Sequence, residues 1–154
     1  MIEKSQNGWT ASKDQASIGI KVFPIAGTDI KIRCNELAGV ILAAFAAEFH
    51  KIVEPIDKGE LDDWAYCYRP VRGTTDKLSN HSSGTAIDLN ASKHPLGKEH
   101  TFTGIQEIAI KELVKKYGLR WGGSYKTRKD EMHFEVIATP EQIKLRIKKL
   151  GLGK

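Results

Sequence analysis

Cysteine is scarce in this chain: Cys34 and Cys67 are the two among 154 residues. They form no CxxC pair and have no Cys or His at zinc-finger spacing, which excludes a disulfide-dense scaffold and a thiolate metal knuckle. Both are expected to be small buried residues. Long apolar runs are absent too. The longest, Ala38 to Ala47, is too short to span a bilayer, so no membrane insertion is expected. Met1 to Gly8 has no basic-then-apolar layout of a secretory signal, so the expected product is made in the cytoplasm. Aromatics are few, at 8%. No helix-turn-helix, zinc finger or aromatic RNA-binding motif is present, so nucleic acid is not the expected partner. No repeat or low-complexity tract interrupts the chain.

What remains is ordinary globular composition, 40% hydrophobic and 28% charged, with net charge +5 and pI about 9.2. The length suits one domain, residues 1–154, with a real core. A modest positive excess favours an anionic partner such as nucleic acid, a membrane surface or a cell-wall polymer, without choosing among them.

Periodicity alternates between strand and helix. Residues 1–16 are polar and expected to be loop-like. Ser17 to Phe23 predicts a strand with Ile18, Ile20 and Val22 on one face, followed by a turn at Pro24 to Thr28. Asn35 caps an expected core helix from Glu36 to Val53, built on Val40, Ile41, Ala44, Phe45 and Phe49. Trp64, Tyr66 and Tyr68 recur at period two within a candidate strand, Leu61 to Tyr68. A loop follows to Ser83, then a strand over Thr85 to Asn90 and a second loop to His100. Thr103 and Gln106 form a capping box. The helix after it is expected to bury Ile105, Ile108, Ala109, Leu113 and Tyr117 and to stop at Gly118. Short strands are expected at Leu119 to Trp121 and Met132 to Ile137, the latter with His133, Glu135 and Ile137 on one face. Thr139-Pro140-Glu141-Gln142 opens a final helix. Strands and helices without a βαβ rhythm indicate an α+β domain.

Two segments concentrate chemistry: Ser79-Asn80-His81-Ser82-Ser83-Gly84-Thr85-Ala86-Ile87-Asp88-Leu89, and Asp130-Glu131-Met132-His133-Phe134-Glu135. Two imidazoles and a carboxylate suit a catalytic zinc, which needs three N/O ligands and an open fourth position. Zinc lowers the pKa of water and polarises a carbonyl, and a further carboxylate would carry the proton. Asp130 and Glu131 both qualify for that role. Spacing alone also allows an exposed His81, a solvated Asp88 and a His133 satisfied by hydrogen bonds.

Ser-x-His-x-x-Gly-x-Ala-x-Asp followed by Asp-x-x-His-Phe-Glu, with Trp-Gly-Gly before it, resembles the zinc peptidase family of D-Ala-D-Ala carboxypeptidases and L-alanyl-D-glutamate endopeptidases, to which many phage endolysins belong. The resemblance runs from about Trp64 to Val136. It implies a hedgehog-like α+β fold, with a small antiparallel sheet carrying the metal between flanking helices. It implies one Zn2+ per chain on His81, Asp88 and His133, with Asp130 as general base. It also implies an oxyanion-stabilising arginine, Arg69 or Arg72, since guanidinium stays charged and offers several donors. Ser79 and Glu135 are expected near the substrate, with Glu135 also suited to support a ligand. His94, beside Pro95, is a candidate substrate contact. Ser124 stands where many relatives carry an acid. The implied activity is hydrolysis of an amide in the stem peptide of bacterial peptidoglycan. The L-alanyl-D-glutamate bond comes first and a terminal D-Ala second; a zinc-stabilised binding module is the non-catalytic alternative. The expected enzyme is a monomer acting at the cell wall after holin-mediated release or virion delivery.

Overall fold

Trp9 anchors the start of the chain. In the computed structural model, which describes residues 2–58 and 60–153, its indole is buried and donates from Nε1 to the Ala138 carbonyl at 2.9 Å. Met1 and Lys154, the ends of the expected domain, and Gly59 lie outside the described residues. The segment expected to be loop-like carries a small hairpin, β1 (Glu3–Lys4) with β2 (Thr10–Ala11). Asn7 fixes it from a distance, its amide donating to Thr85 Oγ1 and to the Val136 carbonyl.

β3 (Ile20–Pro24) and β4 (Lys31–Asn35) form a second antiparallel hairpin. β3 starts later than expected because Ala16–Ile18 form a 3-10 turn closed by Gly19. β4 was not expected. Its pairing decides which face of β3 turns inward. Phe23 stands opposite Ile32 and Lys21 opposite Cys34, so the inward side carries Phe23, Ile32 and Cys34, and Val22 is exposed. Alternation announces two unlike faces but not which one meets the core. Cys34 is buried as expected and its thiol is pushed up by burial, whereas Cys67 is exposed; both are free.

α1 (Ala38–Ile52) is the central helix. Asn35 Oδ1 accepts from the amides of Leu37 and Ala38 at 2.8 and 3.1 Å and so ties down the turn that leads into the helix, which starts two residues later than expected, with Leu37 at its N-cap. Its buried stripe, Ile41, Leu42, Phe45 and Phe49, packs on the sheet, with the Phe45 ring 4.7 Å from Phe134. α2 (Gly104–Tyr117) opens on the reciprocal Thr103–Gln106 capping box and α3 (Pro140–Leu150) on the same device at Thr139 and Gln142. α2 buries Ile110, Leu113 and Tyr117, but Ile105 and Ile108 are exposed, against expectation. Gln106 Nε2 donates to the Val53 carbonyl, which turns the row of residues 106, 110, 113 and 117 inward and leaves 105 and 108 outside.

The sheet that matters has three antiparallel strands in the order β5 (Ala86–Asp88), β7 (His133–Val136), β6 (Leu119–Trp121). One face, Ile87, Phe134, Val136, Leu119 and Trp121, is buried against the helices. Period two puts Ala86, Asp88, His133, Glu135 and Arg120 on the other. The expected strand over 61–68 is reduced to a bridge, Trp64 opposite Asp88. The whole is an α+β fold.

Candidate metal centre

Ser79 starts the geometry. Its hydroxyl accepts from the His81 amide at 3.2 Å and caps a 3-10 turn over Asn80–Ser83. Gly84 ends the turn at φ 70°, and a Cβ there would lie 2.5 Å from the Asn35 nitrogen. Only glycine allows that left-handed, crowded step. The chain then enters β5, so His81 is carried back over Asp88. Asp88 stands directly opposite His133 on β7.

Three atoms converge. His81 Nε2 lies 3.2 Å from Asp88 Oδ1 and 3.2 Å from His133 Nδ1, and His133 Nδ1 lies 3.0 Å from Asp88 Oδ1. Ligand atoms held tetrahedrally at about 2.0–2.1 Å from one zinc stand about 3.3 Å apart, so this triangle has the size of one face of such a site. All three residues are buried.

The far atom of each residue is also occupied. His81 Nδ1 donates to the Ala65 carbonyl at 2.6 Å, leaving Nε2 as the lone-pair nitrogen. His133 Nε2 donates to Glu135 Oε1 at 2.6 Å, leaving Nδ1. Asp88 Oδ2 accepts from Trp64 Nε1 at 2.8 Å, leaving Oδ1. Such partners fix the tautomer and aim the ligand. Burial disfavours the Asp88 carboxylate, but the two histidines outweigh it and hold the carboxyl well below the usual range. Burial likewise opposes the His133 imidazolium, but the hydrogen bonds it donates to Asp88 and Glu135 raise His133 to about 10 without metal. A metal taking Nδ1 must therefore displace a proton.

His133, one corner of the triangle, lines a cleft of about 580 Å³ together with Arg69, Arg72, Ser79, Asp130 and Glu135. Asp130 Oδ1 is buried and has no hydrogen-bond partner among the described residues. Burial pushes its pKa up, against the pull of His133, His81 and Arg69. Gly122 makes room for it: Asp130 N donates to Gly122 O, and a Cβ on Gly122 would stand 2.1 Å from Asp130 O. Glu131 is turned elsewhere, its carboxylate accepting from the amides of His100 and Thr101 and from the Thr101 hydroxyl.

Both candidate arginines reach the cleft, but their anchoring differs. Arg69 is stitched to the His81 turn, its amide donating to Ser82 Oγ and its carbonyl accepting from Ser79 N. Arg72 is exposed, and its carbonyl accepts from Arg128. Glu135 is bound up with His133 and with the Tyr125 hydroxyl, which donates at 2.8 Å. His94 is a correction: it is buried, stacked on Phe102 at 3.8 Å and bonded to Glu54 and Thr101, and it does not line the cleft. Sequence reasoning missed Trp64, Tyr125 and the Ala65 carbonyl. The period-two aromatics were the trace of Trp64; a backbone carbonyl leaves no trace.

The family model described as D-alanyl-D-alanine carboxypeptidase matches residues 72–136. Over those residues the chain is similar to the zinc peptidases of this family. The match spans Asp88, Asp130 and His133, and it includes His81 and the Trp-Gly-Gly turn. The family's members are zinc enzymes, and the His-Asp-His cluster supplies a fitting donor set here. The likeness supports a zinc peptidase acting on peptidoglycan. No curated protein and no solved structure matches the chain. Among the described residues no helix is long and apolar enough to cross a membrane.

Proposed function

We propose that the enzyme is an L-alanyl-D-glutamate endopeptidase of the endolysin type, with zinc on His81, Asp88 and His133. The observation that carries the site is the convergence of three differently oriented donors at 3.0–3.2 Å beside a partnerless carboxylate oxygen on Asp130. Zinc there supplies Lewis acidity toward water and the scissile carbonyl. Asp130 takes a proton from the attacking water and returns it to the leaving amine. Its pKa, raised by burial, suits a group that must do both. Arg69 faces the same cleft from a fixed backbone and balances negative charge developing on the carbonyl oxygen. Ser79 holds the His81 turn, and Glu135 acts through His133 rather than on the substrate.

We expect Glu135→Gln to weaken zinc binding by about 10–100-fold, read by competition with a chromophoric chelator. Unchanged affinity would show that Glu135 does not tune His133.

The choice of bond rests on the resemblance to lysins. The description of the matching family model favours a second reading, removal of terminal D-Ala. The stem pentapeptide L-Ala-γ-D-Glu-L-Lys-D-Ala-D-Ala separates them. Release of free L-Ala and a tetrapeptide is the expected result; release of D-Ala alone would replace the first reading by the second.

A further inference from the structure

Five cationic side chains line the metal cleft: Arg69, Arg72, Arg120, Lys126 and Arg128. Its two carboxylates are committed, Glu135 to His133 and Tyr125, and Asp130 to the space beside the metal ligands. Among the described residues, the ion pairs within 4.0 Å use Lys21, Lys116 and histidines, and none uses any of the five. Five cations against two carboxylates leave the concavity with a positive excess, and the cleft focuses that field on whatever enters. Such an arrangement is relieved by an anionic ligand.

Arg120 has the most definite position. β6 pairs it directly opposite Glu135, so it shares the sheet face that carries Asp88 and His133. Its guanidinium lies 4.7 Å from the centre of the Tyr125 ring. Tyr125 is in turn fixed by its hydrogen bond to Glu135. An arginine stacked on a tethered ring is held with its donors available, and a guanidinium fork suits a carboxylate better than an ammonium does.

We propose that Arg120, supported by Lys126 and Arg128, binds the free α-carboxylate of the residue on the leaving side of the scissile amide. This rests on the endopeptidase reading, in which that residue is D-glutamate joined through its γ-carboxyl. Its α-carboxylate then sits on the carbon that bears the scissile nitrogen, within reach of the metal-bearing face. Stem peptides with this carboxylate amidated lose the contact, so the cleft discriminates between amidated and unamidated walls.

The test is calorimetric titration of the zinc-loaded protein with γ-D-glutamyl-L-lysine, which has no L-Ala–D-Glu bond to cut. The comparison ligands are the same dipeptide amidated at the glutamate α-carboxyl and the one amidated at the lysine C-terminus. We expect the first amidation to weaken binding tenfold or more and the second to change it little. Arg120→Gln should remove the difference, and Arg120→Lys should restore part of it. Equal binding of all three ligands, or full discrimination surviving in Arg120→Gln, would overturn the proposal. Sensitivity to the C-terminal amide alone would overturn it too, by assigning the cations to a chain terminus. Because binding is read without hydrolysis, failure of the pentapeptide to release L-Ala would count against the endopeptidase reading separately.

Discussion

Asp130→Ala should lower kcat by about 10²–10⁴-fold, the range for loss of a positioned general acid–base, while zinc content stays at one per chain. Asp130 is not among the three convergent donors, and among the described residues its Oδ1 has no partner that its removal would strand. The alanine variant therefore loses the proton carrier and little else. Hydrolysis of the stem peptide measured beside zinc content by elemental mass spectrometry checks both halves. Activity equal to that of the unaltered enzyme would end the assignment. Loss of zinc together with activity would show that Asp130 belongs to the metal's ligand set. Glu131→Ala is the matched control. Its carboxylate ties the backbone at His100 and Thr101, so its removal should cost stability rather than chemistry.

His81→Ala should abolish zinc binding and hydrolysis together, because two remaining ligands do not hold a catalytic zinc. The residue is 1% exposed, and its Nδ1 satisfies the Ala65 carbonyl. Leaving that acceptor unpaired costs about 1–3 kcal/mol, so the variant should also melt earlier. Circular dichroism at low temperature establishes that it is folded, and metal titration then reads the site. A folded His81→Ala protein that still binds one zinc at unchanged affinity would refute the ligand set.

The convergence of His81, Asp88 and His133 was legible in sequence because each of them, and the turn that aims them, is written locally. Ser79 caps, Gly84 permits the left-handed step, and alternation carries Asp88 and His133 on one face of neighbouring strands. Helices announced by Asn35, Thr103 and Thr139 were legible for the same reason. What escaped depends on distant partners. The β1–β2 hairpin is held by bonds from Asn7 and Trp9 to residues near the far end of the chain, and nothing within residues 1–16 encodes them. β4 decided which face of β3 turns inward, and the contact of Gln106 with Val53 rotated α2 away from Ile105 and Ile108. The choice between neighbouring Asp130 and Glu131 was likewise open in sequence, since it depends on which way each side chain leaves the backbone. In the fold Glu131 is taken by the 100–101 backbone and Asp130 lines the cleft.

The most direct measurement is mass spectrometry of purified peptidoglycan digested by the zinc-loaded enzyme, with and without a metal chelator. New fragments with free L-Ala carboxyl and D-Glu amino ends are expected, lost on chelation and regained when zinc is restored. Walls of several chemotypes left intact by protein confirmed to carry zinc would contradict that expectation and make the centre a structural one.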